Sequence, residues 1–405
     1  MRVLIAPNAF KDSLDARAAA DAIREGLERS RLAAGYFSFP IADGGDGTGS
    51  LLTERLGGTR VEVPAQDPLG RTIGAAYGIA PRFGAPTALL HQAAPGPIAL
   101  IDMATASGLS LLQPGERDPL HVTSQGTGQL LRSALSAGAR QVLLGVGGSA
   151  TVDGGAGILH ALGARLLDAA GHELSPNPLG LLQLDRIDLT GLYPPVRDTR
   201  MLILCDVDNP LLGPSGTAAV FGPQKGADAG TVALLEKALT RWCEVISRMG
   251  VDRRPGAAGA GADTAALSLG ALPHGGAAGG VAAGLFAVLG ATLVNGADGF
   301  LDLTRFDDAL ERADLVLTGE GSLDAQTLRG KGPYAIARRA LTRDIPVIGL
   351  AGSIPTADEP RLRDFFDALF NINHAPSSLD QALRDTRANL TRTALAIGDL
   401  LALRS

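Results

Sequence analysis

Aromatic side chains make up only 4% of this chain, and cysteine occurs twice, at Cys205 and Cys243, with no CxxC pair. Two distant cysteines give no disulfide framework and no zinc site, and they suit a reducing compartment. None of the six histidines stands at metal-ligand spacing or accompanies a G-x-S-x-G serine. Basic residues are not in excess either. The net charge is −6, so the positive footprint that nucleic-acid binding requires is missing. No apolar run approaches the roughly 18 residues of a membrane span. The opening MRVLIAPNAF breaks at Pro7, too early for a signal-peptide core. The expected setting is therefore cytoplasmic, with no membrane and no nucleic-acid partner. Hydrophobic residues at 45% and charged residues at 19% exclude a disordered chain.

What is abundant is glycine, with 53 residues against a usual share of about 7%. Glycine-rich loops repeatedly follow short apolar runs. Val3–Ala6 and Phe37–Ile41 read as strands around a helix, Ala16–Arg29, with Asp15 as its N-cap. Such a start predicts a parallel sheet covered by helices. After Gly57 four short strands, Thr59–Val63, Thr72–Ile79, Thr87–His91 and Ile98–Met103, predict an antiparallel meander. Helix and strand then alternate again: Ser124–Ala137, Gln141–Gly145, Gly154–Leu162, Arg165–Leu167, Met201–Cys205 and the long helix Thr231–Met249. Residues 250–280 are dense in Gly, Ala and Pro. Strands at Leu315–Leu317, Val347–Leu350 and Ala368–Phe370, with helices Tyr334–Leu341 and Ser378–Leu401, close the chain. The expected architecture is α/β in two domains. One is a discontinuous doubly wound domain from residues 1–57 and 290–405. The other is a mixed α/β domain, 58–289, carrying the antiparallel strands.

Five loops at strand ends carry chemistry, and each also has a structural reading. Pro7-Asn8-Ala9-Phe10-Lys11-Asp12-Ser13-Leu14 sets Lys11 beyond the first strand, either as a ligand for phosphate or carboxylate or as a solvated turn lysine. Asp43-Gly44-Gly45-Asp46-Gly47 suits Mg²⁺ or a substrate hydroxyl, and equally a turn. Gly145-Val146-Gly147-Gly148-Ser149-Ala150 matches the dinucleotide pattern G-x-G-x-x-A, with Asp168 near the spacing of a ribose-binding acid, and so opens an NAD-dependent oxidoreductase. Asp168 also reads as a hairpin turn, and the same glycine loop could cradle ATP phosphates. Asp206 ends the strand Met201–Cys205 as a metal ligand, a general base or a turn residue. Thr318-Gly319-Glu320-Gly321-Ser322-Leu323-Asp324 places Glu320 between two glycines. Gly330-Lys331-Gly332 lacks the remainder of a Walker A loop, and no protein-kinase signature is present. Acidic or lysine-bearing glycine loops after at least four strands suit phosphoryl transfer, where positioning and charge neutralisation supply most of the catalysis.

Together and in this order, IAPNAFKDSL, PIADGGDGT, DPLGR, TSQGTGQLL, GVGGSATVDGGAGIL, CDVDNPLLGPSGTAAVFGPQKGA, GGAAGGVAAGL and LTGEGSLDAQTLRGKGP resemble the bacterial glycerate kinase family of the glycerate 2-kinase type. The resemblance spans almost the whole chain. It implies a flavodoxin-like domain beside a second α/β domain, an active site in the cleft, and Mg²⁺-dependent transfer from ATP to D-glycerate, at O2 rather than O3. Two departures stand out. Asn8, Ala9 and Asp12 replace the Asp, Ser and Gly common in the family's first motif, and Val152 stands where Asn is frequent. The residues the resemblance puts forward are Lys11, Asp43 and Asp206 for catalysis. Gly147, Gly148, Ser149, Gly319 and Gly321 would bind the nucleotide, and Ser13 and Arg71 the substrate. Asp206, Glu320 and Asp324 would hold the metal. A homo-oligomer is left open, and a non-catalytic metabolite-binding module is the reading furthest from this one.

Overall fold

The structure, a computed structural model, describes residues 1–81, 96–249 and 268–403. The expected strand Thr87–His91 and residues 250–267 of the Gly/Ala-rich stretch lie outside these. Among the described residues the strands are β1 (Arg2–Ile5), β2 (Gly35–Ser38), β3 (Thr59–Gln66), β4 (Thr72–Ala80), β5 (Ile98–Asp102), β6 (Gln141–Gly145) and β7 (Arg165–Leu167). They continue with β8 (Arg186–Asp188), β9 (Arg200–Cys205), β10 (Thr292–Asn295), β11 (Leu315–Ser322), β12 (Val347–Ser353) and β13 (Ala368–Asn371). The chain forms two compact units, residues 1–43 with 297–405, and residues 44–296. Among the described residues no helix is long and apolar enough to cross a membrane.

The first unit holds a five-stranded parallel sheet in the order β2-β1-β11-β12-β13. Counted within the unit, that order is 2-1-3-4-5, the flavodoxin-like form of a doubly wound sheet. Val3, Leu4 and Ile5 are fully buried, as a parallel strand covered on both faces must be. The helix Ala16–Glu28 begins where expected. The Asp15 carboxylate accepts the Ala18 N–H at 2.7 Å and supplies one of the orphan bonds of a helix start. It packs on the C-terminal helix Leu379–Ala402, which is capped by Ser378. The two backbones touch at Gly26, where a Cβ would lie 2.2 Å from the Thr391 carbonyl oxygen.

The second unit is built on a six-stranded sheet, β10-β9-β6-β5-β4-β3. β10, β9, β6 and β5 run parallel, and β4 and β3 are antiparallel additions at one edge. The strand Ile98–Asp102 therefore belongs to both arrangements, closing the meander and opening the parallel set. β7 and β8 form a separate antiparallel pair. Leu130, Leu144, Ile158, Ile203, Trp242 and Leu285 belong to the core of this unit.

The change of character after Gly57 and the return of α/β alternation near 290 point to divisions at 57/58 and 289/290, whereas the units part at 43/44 and 296/297. The reason is packing. The helix Thr48–Arg55 lies on β4 and β5, and β10 completes the sheet beside β9. Two further differences concern strand ends. Gly35–Ser38, not Phe37–Ile41, pairs with β1. β11 runs on through Ser322, so Gly319, Glu320 and Gly321 are strand residues with Glu320 opposite Ala351.

Gly26→Ala should lower stability by about 1–3 kcal/mol, the cost of overpacking a tight contact. Gly35→Ala, where nothing lies within 4 Å of the new Cβ, should stay within about 0.5 kcal/mol of the parent. Thermal melts of the two variants check this, and equal melting temperatures would refute the close helix crossing.

Candidate active site

In the first unit the strand order reverses between β1 and β11, and open α/β sheets bind ligands beyond the carboxyl ends of such a pair. The segment leaving β1 is fastened there. The Asn8 N–H donates to the Gly319 carbonyl at 2.8 Å, and Asn8 Nδ2 donates to Asp43 Oδ2 at 2.8 Å. Phe10 and Leu14 exchange both backbone hydrogen bonds, at 2.8 and 2.9 Å, which makes residues 10–14 a tight reversal. Lys11 is exposed on it, and Asp12 sits at φ 62°. Asp tolerates this left-handed conformation, which explains how it stands where the family commonly has glycine. Ser13 is committed inward, its Oγ donating to the Leu383 carbonyl at 2.6 Å.

Glu320 is buried beside this segment. Its Oε1 accepts from Thr327 Oγ1 at 2.7 Å. Burial pushes its carboxyl up to about 7, the Lys331 ammonium opposes that, and the charges of Asp43 and Asp324 add to it. The Asp324 oxygens accept from the backbone N–H groups of Gln326 and Thr327 and from Ser322 Oγ, at 2.8, 3.3 and 3.2 Å. Gly319 has a purely structural reason to be glycine, since a Cβ there would lie 2.1 Å from the Leu350 carbonyl oxygen.

In the second unit β5, β6 and β9 deliver Asp102, the Gly147–Ser149 loop and Asp206 at their carboxyl ends. The loops are packed backbone on backbone. A Cβ on Gly147 would lie 2.4 Å from Gly45 Cα and 3.1 Å from Asp206 Oδ2. The expectation that Gly147 offers its N–H to a phosphate is not met, because that N–H already donates to the Gly44 carbonyl at 3.0 Å. The N–H groups of Gly148 and Ser149 make no backbone hydrogen bond among the described residues. Below them Lys225 is 3% exposed, and its Nζ donates to Ser149 Oγ at 2.9 Å and to the Thr151 carbonyl at 2.8 Å. Burial lowers its pKa to about 8, against the pull of Asp153 and Asp206.

Asp153 is fully buried. It accepts from the Ser124 N–H and Oγ, both at 2.7 Å, and from the Gly155 and Gly157 N–H groups at 3.1 and 3.2 Å. It thereby joins the starts of two helices, Gln125–Ser136 and Ala156–Ala161. Asp102, also buried, accepts the Gly49 and Ser50 N–H groups at 2.7 and 3.3 Å and anchors the first turn of the helix Thr48–Arg55 to β5.

Other sequence-marked residues are spent elsewhere. Asp168 closes the turn between residues 167 and 173, with Oδ1 accepting from Ala170 and His172 at 2.9 and 2.8 Å. No helix begins until Ala156 after the Gly147 loop, so neither half of the dinucleotide fingerprint is built. Arg71 binds Asp67 Oδ2 through Nε at 2.5 Å, Glu116 Oε1 through Nη1 at 2.7 Å and the Leu111 carbonyl through Nη2 at 3.2 Å. Its guanidinium braces the DPLGR turn. Among the described residues no three His, Cys, Asp or Glu side chains gather into a metal cage. The acidic groups therefore fit Mg²⁺ only in the manner usual for that ion, one or two carboxylates with the remaining ligands from phosphate and water.

The sequence pattern of the Glycerate kinase family matches residues 3–402. The chain belongs to that family. It is 40% identical over 395 residues to the glycerate kinase of Bacillus subtilis strain 168, covering 97% of this chain and 96% of that protein. It is 37% identical over 404 residues to the glycerate 2-kinase of Escherichia coli K12, covering 100% and 98%. A crystal structure from Salmonella typhimurium LT2, provisionally named glycerate kinase 2, superposes with a TM-score of 0.77 at 39% identity, covering 100% of this chain and 99% of that one. This member of the glycerate kinase family is accordingly an enzyme, a kinase, of α/β fold.

The buried charges Lys225, Asp153 and Asp102 escape motif reading. A signal for the first was present: the chain has only four lysines, Lys11, Lys225, Lys237 and Lys331, among 36 lysine and arginine residues, and Lys225 and Lys331 each stand beside glycine. Asp102 offers a direct test of the electrostatics. Burial holds its carboxyl at about 7 in the folded kinase, above its ordinary value. Its contribution to stability is therefore present at low pH and is lost as pH rises through about 7. Asp102→Asn should lose less stability than wild type between pH 5 and pH 8 in paired thermal melts. A parallel decline in both proteins would refute the raised value.

Proposed function

We infer that this kinase transfers the γ-phosphoryl group of ATP to the 2-hydroxyl of D-glycerate, giving 2-phosphoglycerate and ADP. The observation that carries the reading is the end-to-end likeness to a protein named glycerate 2-kinase, on a chain whose strand ends bear acidic and lysine-containing glycine loops. Glycerate is a small anion. Its site must neutralise a carboxylate, hold a hydroxyl for in-line attack and accept the proton that hydroxyl loses as its oxygen bonds to phosphorus.

Exposed Lys11 suits the first task or the transferring phosphoryl group. Ser13 and Arg71 have their donors engaged within the fold, so Lys11 is the stronger candidate for anion recognition. Asp43, oriented by Asn8, and Asp206 are the proposed proton acceptors. The Gly148 and Ser149 N–H groups are the proposed phosphate donors, as backbone nests favour anions, with Gly321 a further nucleotide contact. Mg²⁺, when bound, would neutralise triphosphate charge. Asp206 at the end of β9 is the proposed ligand, with Glu320 and Asp324, which also accept from Thr327, as further candidates. A cytoplasmic setting belongs to the same reading and agrees with two free cysteines.

A coupled assay should show Mg²⁺-dependent ADP release with D-glycerate and little with glycerol, which lacks the carboxylate. ³¹P NMR should identify the product as 2-phosphoglycerate. Equal turnover of glycerol would overturn the anion recognition, and a 3-phospho product the regiochemistry. Lys11→Ala should lower kcat about 100-fold if the ammonium meets the transferred phosphoryl group. If it meets only the carboxylate, KM for glycerate should rise at unchanged kcat. A folded variant with both constants near wild type would remove Lys11 from the site.

A further inference from the structure

The second unit contains a buried cation that no step above uses. Lys225 leaves the short 3₁₀ turn Pro223–Lys225 and reaches the loop after β6. Both of its hydrogen-bond acceptors, Ser149 Oγ and the Thr151 carbonyl, are neutral. Asp153 and Asp206 act on it through space, but the Asp153 oxygens are already supplied with four donors. An ammonium so placed is a poor way to stabilise a fold. Burying a charge is costly, and an apolar side chain of similar shape is often as stable or more so. Its position is informative instead. The two oxygens it grips flank Ala150, directly after the Gly148 and Ser149 N–H groups that remain outside the backbone network. Asp153 fixes the same segment from its other end through Gly155 and Gly157.

We propose that Lys225 is a positioning residue for phosphoryl transfer: its ammonium clamps Ser149 and Thr151, holds the Gly147–Thr151 segment in its anion-receiving form, and adds a fixed positive charge on the protein side of that segment. The proposal rests on the kinase reading for its consequence, but the clamp itself is made of protein atoms alone. A negative group approaching the Gly148 and Ser149 N–H groups meets donors already oriented, and the charge behind them is unscreened by water.

The test uses the full-length enzyme and three variants, Lys225→Met, Ser149→Ala and the pair together. In unliganded Lys225→Met, hydrogen exchange at the amides of residues 147–151 should rise at least about tenfold while the β6 and β9 amides stay protected. With ATP and D-glycerate, its kcat should fall about 100-fold, with KM for D-glycerate within about threefold of wild type. Ser149→Ala should lose part of that, and the double variant should be no worse than Lys225→Met, because residues acting as one unit are not additive. Unchanged exchange, a kcat near wild type in folded Lys225→Met, or fully additive losses would each overturn the proposal. Should Lys225→Met fail to fold, Ser149→Ala decides, and wild-type exchange and kcat there would refute the clamp. No ADP release by the wild type, with the exchange result as expected, would sink the glycerate reading and leave the clamp standing.

Discussion

Close approach of backbone to backbone is the constraint on which the second unit depends. Gly147 lies against Gly45 with no room for a side chain, and a Cβ on Gly279 would lie 1.8 Å from the Thr151 carbonyl oxygen. These contacts press the loop after β6 against the Gly45 turn and against the glycine run before the helix Val281–Leu289. Side chains between them would part the loops and admit water. Excluding it is what makes the charges of Asp102, Asp153 and Lys225 strongly felt, because water no longer screens them. The high glycine content therefore reflects close packing at the strand ends.

The same dryness pushes the buried groups toward neutrality. Asp102 and Glu320 are both raised to about 7, and Lys225 is lowered to about 8. Desolvation is the largest cause in all three. The hydrogen bonds differ in what they fix. Asp102 and Asp153 collect backbone N–H groups at helix starts, so they set where whole helices begin. Glu320 and Lys225 each grip a hydroxyl, so they set the orientation of single side chains, Thr327 and Ser149.

Much of this was legible beforehand. Strands buried on both faces, such as Val3–Ile5 and Leu202–Cys205, are continuous apolar runs, and Asp15 announces the helix it caps. Glycine misled the reading of β11. Thr318-Gly319-Glu320-Gly321 looks like a loop, yet Gly319 is there because the strand presses on Leu350. β10 passed unnoticed because Thr292–Asn295 is a short edge strand, half-buried throughout, and its pairing with β9 joins residues far apart in the chain. Lys11, Asp43 and Asp206 could be picked out because they stand in loops of distinctive composition. Lys225 stands in a similar loop, Gly-Pro-Gln-Lys-Gly, but nothing local marks it as buried, since the hydroxyl it meets belongs to Ser149, 76 positions away.

The scarcity of lysine sharpens that last case. With four lysines among 36 lysine and arginine residues, arginine serves nearly every ion pair in the structure, from Arg2 with Asp314 to Arg339 with Asp302. A guanidinium offers five donors in a rigid plane and matches a carboxylate edge. The Lys225 ammonium instead meets, among the described residues, one hydroxyl and one carbonyl oxygen. A compact ammonium on a flexible stem can satisfy both, whereas a planar fork would leave several donors buried without acceptors. The residue type thus follows from the two oxygens it must hold, and those oxygens belong to the segment that presents the Gly148 and Ser149 N–H groups.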